Sequence, residues 1–211
     1  MAAAPHTTTQ AAKPKPKDDD KDKRDESGLG PLGERLFRSR TIHLSGAVDD
    51  KLAARVVAEL LALEADDAES PITMFLNSPG GSVTSGFAIY DVMRFIGPDV
   101  HVICTGLTAS IATVILLAAP ADKRLALPNA RLLIHQPHIP MTVYGPASDL
   151  EITAREILKT RERINTLIAN ETKRTLAQVE KETQRDYWLT AEAAVEYGLL
   201  ARVVTRRADL A

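Results

Sequence analysis

From Thr41 onward, short apolar runs alternate with longer stretches in which apolar side chains recur every three or four positions, a pattern that predicts strands separated by helices. Thr41-Ile42-His43-Leu44 alternates polar and apolar residues and stops at Ser45-Gly46, as a short strand with a turn does. Asp49 or Asp50 then caps a helix whose Leu52, Val56 and Leu60 recur every fourth residue, with Ala53, Val57 and Leu61 beside them. Ile72 to Leu76 is a compact apolar strand leading into the loop Asn77-Ser78-Pro79-Gly80-Gly81-Ser82. A second helix carries Val83, Phe87 and Tyr90 on one line and Ile89, Met93 and Ile96 on another. Gly97-Pro98 stops it, Val100 to Cys104 is a third strand expected to end at Gly106, and an apolar helix follows from about Ser110 to Ala119.

Strand, helix, strand, helix, strand, helix is the order of βαβ units, so the expected fold class is α/β with a largely parallel sheet. Two short strands follow, Arg124 to Pro128 and Arg131 to His135, then a proline-flanked segment. Between Asp149 and Glu171 lies the longest helical pattern, with Leu150, Ile157 and Ile164 one heptad apart and Leu158 and Ile168 beside them. Its other face carries Glu156, Lys159 and Arg163, and it is expected to reach beyond the sheet to a subunit contact; a solvated helix on its own domain fits the pattern nearly as well. Thr190 caps a last short helix that Gly198 ends before a strand at Ala201 to Val204.

The first 33 residues have a different texture. KPKPK, the run DDDKDKRDE and the end SGLGPLG offer almost nothing to bury, so residues 1–33 are expected to be a disordered, charge-mixed tail and 34–211 one folded domain. Of the 211 residues 45 % are apolar and 26 % charged, an ordinary globular balance. A net charge of −2 gives no basic footprint for nucleic acid or an anionic membrane, and neither is expected as a partner. The longest apolar stretch, Leu107 to Ala119, is too short to span a bilayer, which takes about 20 residues. One cysteine, Cys104, no Cys/His cluster at zinc spacing and no secretory apolar run lead to the expectation of a cytoplasmic protein without metal or cofactor.

Four places can carry chemistry. In the Gly80-Gly81 loop, backbone amides can face a ligand oxygen that side chains would otherwise block, although a tight strand-to-helix turn needs the same residues. Ser110, at the start of an apolar helix, is a seat for a nucleophile; close helix packing of the small residues Thr108, Ala109 and Ser110 is the plainer explanation, since no GxSxG is present. His135 leaves an apolar strand at the rim, where a general base belongs, and where a structural histidine also sits. Asp186 can orient an imidazole or pair with Arg185. His138, among prolines, reads as exposed. Together Ser110, His135, Asp186 and a Gly-Gly loop are the minimal set for acyl transfer.

The strings FLNSPGGSVTSGFAIYDVMRFIGPDVHVICTGLTAS, LALPNARLLIHQP, DLEITAREIL and QRDYWLTAEAAVEYGLL, in this order, resemble the proteolytic subunit family of the Clp protease, over about Glu34 to Val204. The resemblance implies a ClpP/crotonase-like core of repeated ββα units with a protruding handle helix from Asp149. It implies a serine endopeptidase with Ser110 as nucleophile, His135 as base, Asp186 as orienting acid, and the amides of Gly81 and Ile111 as oxyanion hole. Ser82, Val83, His138, Ile139, Met141 and Val143 would line a groove in which substrate lies as an added strand. Implied partners are a homo-oligomer of two stacked heptameric rings, a hexameric AAA+ unfoldase that uses the ATP, and unfolded polypeptides.

Three departures stand out: Ile111-Ala112 where the family has Met-Gly, a longer stretch without glycine after His135-Gln136-Pro137, and no recognisable axial hairpin in residues 1–33. The first and third keep open a catalytically silent ring subunit beside an active paralogue, and a third reading is a crotonase-type acyl-CoA enzyme, similar in fold and two-amide oxyanion hole, which would not need the three residues together.

Overall fold

The computed structural model describes residues 30–138 and 145–210. A first helix, α1 (Gly30–Arg38), precedes β1 (Thr41–Ser45), so residues 30–33, assigned to the tail on composition, form its opening turn. The remainder of the expected tail lies outside the described residues. Helix α2 (Asp50–Asp66) is capped by Asp49, whose carboxylate accepts from the Leu52 amide, and buries Ala53, Val56, Leu60 and Leu63. Next come β2 (Ile72–Ser78), α3 (Val83–Phe95) and β3 (Val100–Ala109), with β1–β2 and β2–β3 paired in parallel. The strands alternate buried and half-exposed residues as a sheet with one well-covered face requires.

β3 does not end at Gly106. At that residue (φ +54) the strand bends, the Asn77 side-chain oxygen accepts from the Leu107 amide, and Leu107–Ala109 continue as strand. The bend lets β3 serve two neighbours on one side. Its first half pairs with β4 (Arg124–Ala126), its second half with β5 (Arg131–Ile134), both in parallel. Further on, α5 (Ala147–Thr172) and α6 (Leu176–Glu182) lead to β6 (Tyr187–Thr190), a strand that four residues of sequence did not announce, and β6 runs antiparallel to β5. Helix α7 (Ala191–Tyr197), capped by Thr190 and ended by Gly198 at φ +96, precedes β7 (Arg202–Val203) beside β4. Among the described residues the seven strands form one sheet ordered β1-β2-β3-β4-β7, with β5 and β6 branching from β3.

Between β3 and β5 runs α4 (Ile111–Leu116), buried at every position. Its C-terminal end is held by Arg124, a fully buried guanidinium that donates to the carbonyls of Ala119 (2.9 Å) and Leu117 (3.0 Å) and pairs with Glu171 near the end of α5. α5 itself is two things. Its C-terminal half buries Ile164, Ile168 and Ala169 in the core, whereas its N-terminal half buries nothing and leaves Leu150, Ile152 and Leu158 exposed. No helix among the described residues is long and apolar enough to cross a membrane.

Replacing Arg124 by Met would leave two carbonyls and Glu171 without their cation. Glu171 is partly exposed and is re-solvated in part, so the loss lies at or below the roughly 3 kcal/mol of a fully buried pair, and Arg124→Met is expected to lower the thermal midpoint by a few degrees, measured by differential scanning calorimetry.

Candidate active site

Three strand ends build the site. In the parallel β3–β5 pair Ala109 faces Leu133, and the carbonyl of Leu133 then accepts from the Ser110 amide (2.9 Å) and from Thr113 Oγ1 on α4 (3.2 Å). Ser110 is thereby fixed next to the residue that follows β5, which is His135. In the antiparallel β5–β6 pair Ile134 faces Tyr187, so the next positions outward, His135 and Asp186, oppose one another. Register alone brings together residues separated by 51 positions, and His135 Nδ1 lies 3.2 Å from Asp186 Oδ1.

Ser110 is bent into φ +58, ψ −127, a backbone conformation a non-glycine residue rarely adopts and which costs about 1–3 kcal/mol. Its hydroxyl does not cap α4, so Oγ is not committed to the helix. The strand-to-helix corner is thus the sharp turn that a GxSxG elbow provides elsewhere, made here without that motif. The branched side chain of Ile111 fits because Gly86 on α3 has none: a Cβ at Gly86 would come within 2.2 Å of Ile111 Cγ1. Ala112 is fully buried within α4, so its extra Cβ is accommodated.

The Gly80-Gly81 loop lies directly on the serine. A Cβ on Gly80 would stand 2.6 Å from Ser110 Cβ, and Gly81 (φ +151) is pressed against Val48, whose carbonyl oxygen a Cβ there would meet at 2.2 Å. The loop is anchored by the Val48 amide donating to Gly80 C=O and the Ser82 amide donating to Val48 C=O. Among the hydrogen bonds of the described residues, neither the Gly81 nor the Ile111 amide donates to a protein acceptor. Ser82 is spent structurally: its hydroxyl caps α3 by accepting from the Ser85 amide, and its carbonyl accepts from Gly86. Val83 lines a narrow cavity with Ser110, Ile111, Ile134, His135 and Ile164.

His135 is held from several sides. The Gln136 amide donates to Thr183 C=O (2.6 Å) and its side chain to Gln184 C=O (2.9 Å), which ties the two segments together beside the His–Asp pair. Thr183, buried, donates in turn to Asn165 on α5. Burial and the neighbouring His138 push the His135 pKa below the ordinary histidine value, against the pull of Asp186. No hydrogen bond among the described residues joins Ser110 Oγ to the imidazole, although both line the same cavity.

His138 is exposed, as the sequence suggested, but it also packs on the His135 ring. Its Nε2 lies 2.8 Å from His135 Nδ1, the atom that also faces Asp186, with the rings 4.5 Å apart. Ile139, Met141 and Val143 lie outside the described residues. Sequence reasoning missed the supports Gln136, Thr183 and Asn165, which carry no signal of their own; the HxxH spacing of His135 and His138 was a signal it did not use.

A bent, mainly parallel α/β sheet that sets Ser110 and His135 on one cavity, with Asp186 on the other side of the same imidazole and two unbonded amides nearby, has the makings of a hydrolase of the acyl-transfer class. A sequence model described as Clp protease matches residues 26–207, and the chain belongs to that family, a family of ClpP-type serine peptidases.

Gly81→Ala must displace the Val48 backbone and hold a Cβ at positive φ. It is expected to cost about 1–3 kcal/mol from strain alone, seen as a lower thermal midpoint, while Gly46→Ala, where a Cβ would meet nothing within 4 Å, shows the smaller effect of φ by itself.

Proposed function

We propose that the chain is an active endopeptidase subunit in which Ser110 attacks a peptide carbonyl, His135 takes its proton through Nε2, and Asp186 holds the imidazole by accepting from Nδ1–H. The observation that carries this reading is the β3–β5–β6 register, which sets the three residues at adjoining strand ends. As the tetrahedral intermediate forms, its oxyanion would be met by the Gly81 and Ile111 amides, which are otherwise without protein acceptors. His135 then returns its proton to the leaving amine, and water repeats the sequence on the acyl-enzyme. The depressed pKa of His135 keeps the base neutral at physiological pH. The chemistry needs no cofactor, and ATP belongs to the partner.

Assembly into two stacked heptameric rings, fed by a hexameric AAA+ unfoldase with unfolded polypeptide, is part of the same reading. It is supported by the exposed Leu150, Ile152 and Leu158 on the half of α5 that touches no core of its own. An aqueous ring interior would suit an enzyme whose groove binds peptide backbone by strand addition and reads few side chains.

A second reading is a silent subunit that completes a ring with an active paralogue, and one observation favours it. His135 needs its proton on Nδ1 to act as base. If His138 Nε2–H donates to Nδ1 instead, the His135 proton sits on Nε2 and cannot accept from Ser110. Intact-mass analysis after a fluorophosphonate decides between them: the active reading predicts one adduct per chain, absent in Ser110→Ala and slowed about 10³- to 10⁴-fold in Asp186→Asn. No adduct on the assembled ring selects the silent subunit.

The pH profile of that acylation carries a second prediction. Neutral His135 is the reactive form, so the rate should rise with pH through the folded pKa, below the ordinary histidine value, and be flat at neutrality. The groups facing the ring are His138, which depresses the pKa, and Asp186, which raises it, with Arg185 lining the same cavity. Removing the depressing neighbour in His138→Gln should move the acid limb to higher pH.

A further inference from the structure

At the far side of the His135 ring, away from the serine chemistry, three metal-ligating side chains converge. His135 Nδ1, His138 Nε2 and an Asp186 carboxylate oxygen all lie within 4.8 Å of one another, with separations of 2.8 Å between the imidazole nitrogens and 3.2 Å from Nδ1 to Oδ1. Two imidazole nitrogens and one carboxylate oxygen are the donor set of three-ligand zinc sites, which keep a fourth position for water. Ligands at about 2.0–2.2 Å from a tetrahedral ion stand roughly 3.3–3.5 Å apart. The His135–Asp186 separation, 3.2 Å, is just under that range, the two imidazoles need open by about half an ångström, and His138 and Asp186, within 4.8 Å of one another, settle to the same spacing as the ion is bound.

The surroundings fit as well. The three residues open onto a cavity of about 410 Å³ shared with Gln136, Gln184 and Arg185, which gives a hydrated ion a route and leaves room for its water. Arg185 lines the same cavity but is exposed, so water and salt screen its charge from a cation there. The ligands sit on two segments already stitched by the Gln136 amide to Thr183 and by the Gln136 side chain to Gln184, so binding needs no large rearrangement. Two neutral rings facing one another at 2.8 Å hold one proton between them; a metal takes that proton's place.

We propose that His135, His138 and Asp186 form a zinc site that latches the active site shut. The latch, though not the binding, rests on the role proposed for His135. With Nδ1 on the metal, the neutral His135 ring carries its proton on Nε2, and His138 carries its own on Nδ1. His135 then has no lone pair for the Ser110 proton, and Asp186 is drawn from imidazole to metal. Only the ring whose proton lies between the two moves it to its other nitrogen, while the other ring already carries its proton there, so the neutral pair releases none.

The test uses the full-length protein stripped with a chelator, with Co²⁺ and Zn²⁺ as probes. One Co²⁺ per chain is expected, with the strong visible d–d absorption of a four-coordinate ion, and Zn²⁺ displaces it. Ser110→Ala should bind as the natural chain does, whereas His138→Gln should bind Zn²⁺ at least tenfold more weakly. Zn²⁺ should slow fluorophosphonate acylation of Ser110 at least tenfold, reversed by chelator. The site is overturned if the natural chain gives no such spectrum or if His138→Gln binds Zn²⁺ equally well, even while Ser110 labels normally. If the spectrum appears but the metal-free protein does not label, the zinc site stands and the peptidase reading fails.

Discussion

The carbonyl of Leu133 is the pivot of this molecule. It accepts from the Ser110 amide and from Thr113 Oγ1, and so locks the end of β3 and the start of α4 onto the last turn-out of β5. Because β5 is paired in parallel with β3 on one side and antiparallel with β6 on the other, a single four-residue strand fixes the positions of Ser110, His135 and Asp186 together. A slip of one residue in either pairing would turn the side chains to the opposite face of the sheet. Everything proposed about chemistry therefore depends on a register, and the register depends on the bend at Gly106 that frees the second half of β3 to meet β5.

The surrounding packing protects that register. Ser110 is held in a costly backbone conformation, and a strained corner persists only where its neighbours over-determine it. Gly80 lies against it on one side, the buried α4 follows it on the other, and Arg124 anchors the far end of α4 to Glu171 on α5. α5 reaches the site a second time through Asn165, Thr183 and Gln136. One helix thus braces both the helix that follows Ser110 and the segment that holds His135 with its C-terminal half, while its N-terminal half stands free with apolar side chains exposed.

Much of this was legible in the sequence, for physical reasons. β1, α2, β2, α3 and α5 announce themselves through periodicity and caps, and Asp49, Thr190 and Gly198 cap the helices as their chemistry requires. The β3 extension past Gly106 was not legible, because a glycine in an apolar run signals a stop, and only the Asn77 side chain and the β5 pairing make it a bend. β6 was missed because four residues carry too little alternation, yet it is the strand that presents Asp186. His138 is the instructive case: its proline neighbours suggest an exposed loop, and it is exposed, yet its ring also reaches the same His135 nitrogen that faces Asp186, a contact no local pattern announces.

The central claim is that β5 holds the Ser110 hydroxyl and His135 Nε2 within reach of one substrate carbonyl. A peptide chloromethyl ketone tests it directly, because the ketone must be captured by the serine before the methylene alkylates the imidazole. Peptide mapping of the treated protein should find one alkylated residue, His135, and should find His135 unmodified in Ser110→Ala. Alkylation of His138 in place of His135, or of His135 at an equal rate without the Ser110 hydroxyl, would contradict it.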